Sequence, residues 1–286
     1  MEIIIGETSG FCGGITNAVN KTIEFAKNKN GETTYCLGDL AHNPVVMKQL
    51  KDLGVKVISD LSEVEKPNGK QVIIRAHGVT KSIYEQAKKL GIELIDLTCP
   101  KVLNIHKIAE EYSKNGYYII FIGEKGHPEV IGTESFCGTE YKTVENEQEL
   151  NEVLSNIKSD KILVIAQTTF NLEKFNKFCN TVQEKFPEAI IKNTVCNATR
   201  RRQQETQELA TKVEYMIIIG GKKSSNTNKL YNIACEKCKN AIMIEGAEEL
   251  TQEQLQEIHK YNKIGIMAGA STPQQSIYKV KEKLEM

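Results

Sequence analysis

Apolar residues in this chain gather in short unbroken runs: EIII, TYCL, QVIIRA, IELID, YYIIFI, KILVIA, AII, EYMIII and KIGIMA. Each run is bounded by glycine, asparagine, serine, threonine or charged residues. Runs of this kind fit strands buried on both faces, as in parallel sheets. The stretches between them read as helices, so the pattern predicts an α/β protein from end to end. No linker or low-complexity tract divides it.

A second periodicity lies on top of the first. EIIIGETSGFC ends at Cys12, IELIDLTC at Cys99 and AIIKNTVC at Cys196, each an apolar run, a few polar residues, a thiol and then a helical segment. His42, His127 and Ser224 follow these cysteines by 30, 28 and 28 residues, in AHNP, GHPE and SSN. His77, Thr168 and Ser271 follow by 65, 69 and 75 residues, in RAHGV, QTT and AGAST. The expectation is three similar α/β units, each with a mostly parallel four-stranded sheet, over 13–98, 99–195 and 196–286. The first unit has strands near 33–37, 55–59, 71–75 and 92–97. The run at 2–7 has no place there, so segment 1–12 is expected to complete the third unit and close a ring of three.

Ligands of open parallel sheets gather outside the carboxyl ends of the strands, where all nine marked residues fall. Three thiolates meeting at one place suit a soft metal centre. Iron–sulfur clusters are normally held by cysteine, whereas structural zinc wants a fourth protein ligand. Neither a paired CxxC nor HExxH is present. Cysteine at a helix start also has its thiolate favoured by the helix dipole, and Pro100 suits such a start. His42, His77, Ser224, Ser225, Asn226 and Ser271 are hydrogen-bonding groups at helix starts, a setting that holds phosphate. Glu129, after His127 and Pro128, is the candidate proton donor, with the imidazole as relay. Cys36, Cys137 and Cys179 read as core residues, and Cys235 and Cys238 lack the second pair a zinc site needs. Lys222 and Lys223 read as solvated, and His106 and His259 as helix-surface residues without a role.

Composition narrows the partners. Lysine plus arginine equals aspartate plus glutamate at 37 each, which argues against a nucleic-acid or anionic-membrane partner. No basic leader or membrane-length apolar run is present, so the chain is expected in the cytoplasm, where eight cysteines serve as thiols or ligands rather than as a disulfide framework.

The motifs GFCGG, AHNP, RAHGV, TCPKV, GHPEV.GT, QTT, VCNAT..RQ, SSN.N and AGAS.P, in this order, resemble those of the 4-hydroxy-3-methylbut-2-enyl diphosphate reductase family, an iron–sulfur enzyme of isoprene biosynthesis by the non-mevalonate pathway. The resemblance implies a pseudo-threefold trefoil around one [4Fe–4S] cluster, held by Cys12, Cys99 and Cys196 with one iron open. It implies diphosphate binding by His42, His77, Ser224, Ser225, Asn226 and Ser271, with Thr168, His127 and Glu129 facing the allylic hydroxyl. The implied reaction is a reductive dehydroxylation giving isopentenyl and dimethylallyl diphosphate, with a ferredoxin or flavodoxin as electron donor. Asn17 and Asn104 depart from the basic residues usual in the family. Two alternatives are a three-cysteine cluster enzyme of the quinolinate synthase type, and a non-catalytic thiol redox sensor.

Overall fold

The computed structural model describes residues 1–28 and 33–286. After β1 (Glu2–Ile5) come β2 (Thr34–Leu37), β3 (Val55–Ile58), β4 (Gln71–Ile74) and β5 (Glu93–Asp96), which form one sheet in the order β3-β2-β4-β5. The next four, β6 (Tyr118–Ile122), β7 (Tyr141–Val144), β8 (Ile162–Ala166) and β9 (Ile190–Ile191), form a second in the order β7-β6-β8-β9. The last three are β10 (Tyr215–Ile219), β11 (Ala241–Ile244) and β12 (Lys263–Ala268). With β1 they form a third sheet, β11-β10-β12-β1. Every strand pair is parallel.

Written by position, all three sheets have the order second, first, third, fourth, and the N-terminal β1 supplies the fourth strand of the third sheet, as the apolar pattern predicts. The helices repeat as well. α1 (Gly13–Asn28) follows β1, and α2 (Pro44–Asp52) and α3 (Lys81–Leu90) follow the first and third strands of the first sheet. α4 (Pro100–Lys114) leads into the second sheet, whose connections are α5 (Pro128–Glu134), α6 (Glu147–Asn156) and α7 (Leu172–Lys185). α8 (Asn197–Ala210) leads into the third, with α9 (Ser225–Lys237), α10 (Gln252–Ile258) and a final α11 (Gln274–Glu285). The first sheet alone lacks a full helix after its second strand, where a single turn at Leu61–Glu63 is locked by the Asp60–Glu63 capping box.

The central strands are apolar throughout because both faces are covered. YIIFI, ILVIA and YMIII are buried along nearly their whole length. Fully burying an Ile, Leu or Phe contributes roughly 1.5–3 kcal/mol, so these strands anchor the fold. The chain divides into two compact units: Met1–Val19, Ala41–Leu53 and Asn197–Met286 with the third sheet, and Asn20–Leu40 and Gly54–Cys196 with the other two. Among the described residues no helix is long and apolar enough to cross a membrane.

One sequence expectation fails. His106 is not on a helix surface: it is 3% exposed, while His259 is exposed as expected. Val102, Ile105, His106 and Ala109 form one buried stripe of α4 at helical spacing, and the imidazole takes an apolar position in it. Its ring stacks on Phe136 at 4.3 Å, against backbone at Gly78 and Gly132 where an added side chain would meet it at 3.0 and 3.6 Å. Neither ring nitrogen has a hydrogen-bond partner, and burial pushes the imidazole down to about 4.

Candidate active site

In a sheet wound in this order the first and third strands open a crevice at their carboxyl ends. The first strands end at Leu37, Ile122 and Ile219, and His42, His127 and Ser224 each come five residues later. The third strands end at Ile74, Ala166 and Ala268, with His77, Thr168 and Ser271 two or three residues beyond. The repeat that spacing predicts is therefore one of strand position.

The fourth strands carry the thiols. Cys12, Cys99 and Cys196 each stand one residue before a helix, α1, α4 and α8. Each donates its backbone N–H to the carbonyl two residues beyond the neighbouring third strand: Cys12 to Ala270 (3.1 Å), Cys99 to Ala76 (2.9 Å) and Cys196 to Thr168 (2.9 Å). All three are half-buried, and no cysteine of the chain is in a disulfide. Cys36, Cys137 and Cys179 are buried, and desolvation pushes their thiols up to about 12, which makes them inert packing groups.

Within the unit of the third sheet, the loops carrying His42, Ser224 and Ser271 converge. The Gly221 backbone lies so close to the His42 carbonyl that a Cβ there would sit 2.0 Å from the oxygen. Ser271 Oγ donates to that same carbonyl at 3.5 Å. Ser224 caps α9, its hydroxyl accepting the Thr227 amide at 3.3 Å. Asn226, in the first turn, is 3% exposed, yet neither its amide nitrogen nor its oxygen has a partner. The amide nitrogen of Asn43, buried at the start of α2, is likewise unpaired. Buried polar groups left unpaired cost about 1–3 kcal/mol each, and the clustering of these two at neighbouring helix starts makes them candidates to meet a polar group from outside the chain. Two helix N-termini, those of α2 and α9, fit an anion.

The other unit holds the candidate acid–base residues. Glu129 is 1% exposed and lies in the first turn of α5. Its two carboxylate oxygens accept from one residue, Thr168: the backbone N–H at 2.6 Å and the hydroxyl at 2.6 Å. His127 caps α5 and accepts the Glu129 amide on Nδ1 at 3.1 Å, which leaves Nε2 as the proton-bearing nitrogen of the neutral ring. Its ring meets His77 edge to face at 5.5 Å. Asn17 and Asn104 are exposed on α1 and α4.

Several residues here were not singled out from the sequence. Lys229, one turn into α9, donates to Ser225 Oγ at 2.7 Å, whereas Lys222 pairs with Glu249 at the surface. Gln167, fully buried beside Thr168, accepts the Glu124 amide at 3.0 Å and donates to Thr169 at 3.0 Å. Lys229 is legible after the fact as the cation one turn past Ser225. Gln167 opens the QTT motif, whose spacing points to Thr168 alone.

Three parallel sheets of one strand order, each followed at its fourth strand by a thiol in the same backbone register, define a class: α/β proteins with ligand crevices at the carboxyl ends of their strands. Residues 3–285 match the family model described as LytB protein, and the chain belongs to that family. The 4-hydroxy-3-methylbut-2-enyl diphosphate reductase of Caldanaerobacter subterraneus subsp. tengcongensis is 40% identical over 286 residues, covering 100% of this chain and 97% of its own length. That of Aquifex aeolicus is 39% identical over 288 residues, covering 100% and 96%. Among solved structures, the E-1-hydroxy-2-methyl-but-2-enyl-4-diphosphate reductase from Plasmodium falciparum is similar with a TM-score of 0.91 at 31% identity, over 98% of this chain and 87% of that one.

Proposed function

We propose that this chain is a cytoplasmic reductase that converts (E)-4-hydroxy-3-methylbut-2-enyl diphosphate, two electrons and two protons into water and either isopentenyl or dimethylallyl diphosphate. The observation that carries the reading is the threefold recurrence of one backbone register at Cys12, Cys99 and Cys196. The donor set fits an iron–sulfur centre: three half-buried thiols outside any disulfide, each at a helix start. Cys12, Cys99 and Cys196 would hold one [4Fe–4S] cluster per chain. Such a cluster, when bound, supplies electrons one at a time and an open Lewis-acidic iron. Neither a quinolinate synthase nor a redox sensor is favoured by the relatives, which are named as reductases.

The remaining work falls to the chain's own side chains. Ser224, Ser225, Asn226, Ser271 and His42 grip the diphosphate, and the unpaired Asn226 amide acquires its partners when the anion arrives. His77 and His127 add donors if the three segments 13–98, 99–195 and 196–286 with 1–12 face one centre as a pseudo-threefold trefoil. Thr168 already donates its hydroxyl to Glu129, so its oxygen keeps acceptor capacity for the substrate hydroxyl. In turnover that hydrogen bond reverses: protonated Glu129 donates to Thr168 Oγ while the hydroxyl turns and passes its own proton to the departing oxygen, which leaves as water. The second proton reaches either of two carbons of the allyl fragment, and so yields two products. A ferredoxin or flavodoxin delivers the electrons, and neither nucleic acid nor membrane takes part.

The test is an anaerobic assay of the iron-loaded chain with a reduced donor and the hydroxylated C5 diphosphate, read as formation of the two isomeric products. Unchanged substrate under those conditions would overturn the assignment.

A further inference from the structure

The three cysteines share a register but do not reach it by the same path. After β5, Leu97 bonds the Ile74 carbonyl (3.1 Å) and Cys99 the Ala76 carbonyl (2.9 Å), an unbroken continuation of the ladder. After β9, Lys192 bonds Val164 (2.9 Å) and Cys196 bonds Thr168 (2.9 Å), again in step. β1 starts in the same way, with the Gly6 amide on the Ile266 carbonyl at 2.9 Å. Continued in step, Gly10 would bond Ala270. Instead Gly10 bonds Ala268 (3.5 Å) and Cys12 takes Ala270, so two extra residues loop out between Gly6 and Gly10.

Two side chains of α8, the helix that begins one residue after Cys196, grip this excursion. Glu205 accepts the Glu7 amide at 2.5 Å and the Thr8 amide at 2.8 Å, and it also accepts the Thr8 hydroxyl. Arg202, 3% exposed, donates Nε to the Thr8 carbonyl at 2.9 Å and an Nη to the Gly10 carbonyl at 2.8 Å. The guanidinium fork suits two carbonyls spaced along a chain in a way that a lysine cannot match. A looped backbone without sheet partners would otherwise sample many conformations, at about 1–2 kcal/mol of entropy per residue fixed.

We propose that Arg202 and Glu205 are positioning residues for Cys12, holding the excursion in the one conformation that brings this thiol into register with the other two. The inference rests on the cluster reading for its consequence, since a centre with three protein ligands is loosened when one ligand wanders. Outer partners of metal ligands typically change retention or activity 10–100-fold when removed.

The test uses the anaerobically purified full chain and the variants Glu205→Gln and Arg202→Lys. Iron release to a chelator is followed by absorbance, and iodoacetamide labelling of each cysteine by peptide mass spectrometry. The expected result is iron release about 10-fold faster or more, with a raised ratio of Cys12 to Cys99 labelling and with Cys137 and Cys179 at the parental rate. Parental iron release and an unchanged ratio would overturn the inference while leaving the cluster reading intact. So would labelling of Cys137 and Cys179 rising with Cys12, which marks general loosening. If the parent holds no iron, the cluster reading fails by itself, and the labelling ratio still decides the positioning claim. Glu205→Gln preserves size, so the test stands even if the Arg202 variant does not fold.

Discussion

Two polar regions of this molecule are equally buried and opposite in state. At α5 and β8 the Glu129 carboxylate is satisfied from within, with both oxygens taken by Thr168. At the start of α9 the Asn226 amide has no partner on either atom. Under the proposed function the first region is a proton path wired in advance, and the second carries a cost that diphosphate binding would remove. On that reading preorganisation and under-satisfaction fall to different loops.

The sharpest way to break this contrast is Glu129→Gln. The amide keeps the size and one acceptor but cannot give an acidic proton, so turnover should fall about 100- to 10,000-fold while iron content and diphosphate affinity stay at parental levels. Parental turnover in a stopped anaerobic assay would remove Glu129 from the proton path.

His106 sharpens the comparison from another side, being an unpartnered group next to the satisfied region. Its folded value of about 4 lies below the ordinary 6.5, so between those limits the unfolded chain binds a proton that the folded chain refuses. Stability should be unaffected above pH 6.5, fall as the pH drops from 6.5 to 4, and level off below, with a loss of roughly 3 kcal/mol from this group. Urea unfolding across that range should show the slope in the parent and a shallower one in His106→Leu; equal slopes would contradict the assignment.

Asn226→Leu should separate grip from stability. Affinity for inorganic diphosphate should weaken roughly 10- to 100-fold, while the ligand-free chain gains about 1 kcal/mol because an unpaired buried amide is gone. Calorimetry and urea unfolding read the two effects, and a destabilised variant with unchanged affinity would reverse the contrast. The smallest effect is expected from Lys222→Ala. The Lys222–Glu249 pair at 2.7 Å lies at the surface, and removing it should leave the urea midpoint at the parental value and diphosphate affinity within roughly twofold.

The repeat was readable from the sequence because buried parallel strands write themselves as apolar runs, and because each polar loop residue keeps a near-constant distance from a strand end, whereas the thiols share a backbone register rather than a spacing. Even the fourth strand of the third sheet could be assigned to the N-terminus, since the first sheet had no place for it. His106 departs from the surface position its residue type suggests because Val102, Ile105 and Ala109 share its helix face and carry it into the interior. The grip of Arg202 and Glu205 on residues 7–10 is of another kind. It joins segments nearly two hundred positions apart, and whether a loop stays in step with its sheet is decided by tertiary pairing that no local pattern records.

The pairing of β1 with β12 sets a schedule for biogenesis. β1 ends at Ile5 and β12 begins at Lys263, so β1 must wait for a strand made about 260 residues after it. At typical rates of about 5–20 residues per second that interval lasts some tens of seconds. Throughout it β1 is an unclaimed apolar ribbon in need of shielding, and only the arrival of β12 can dock it.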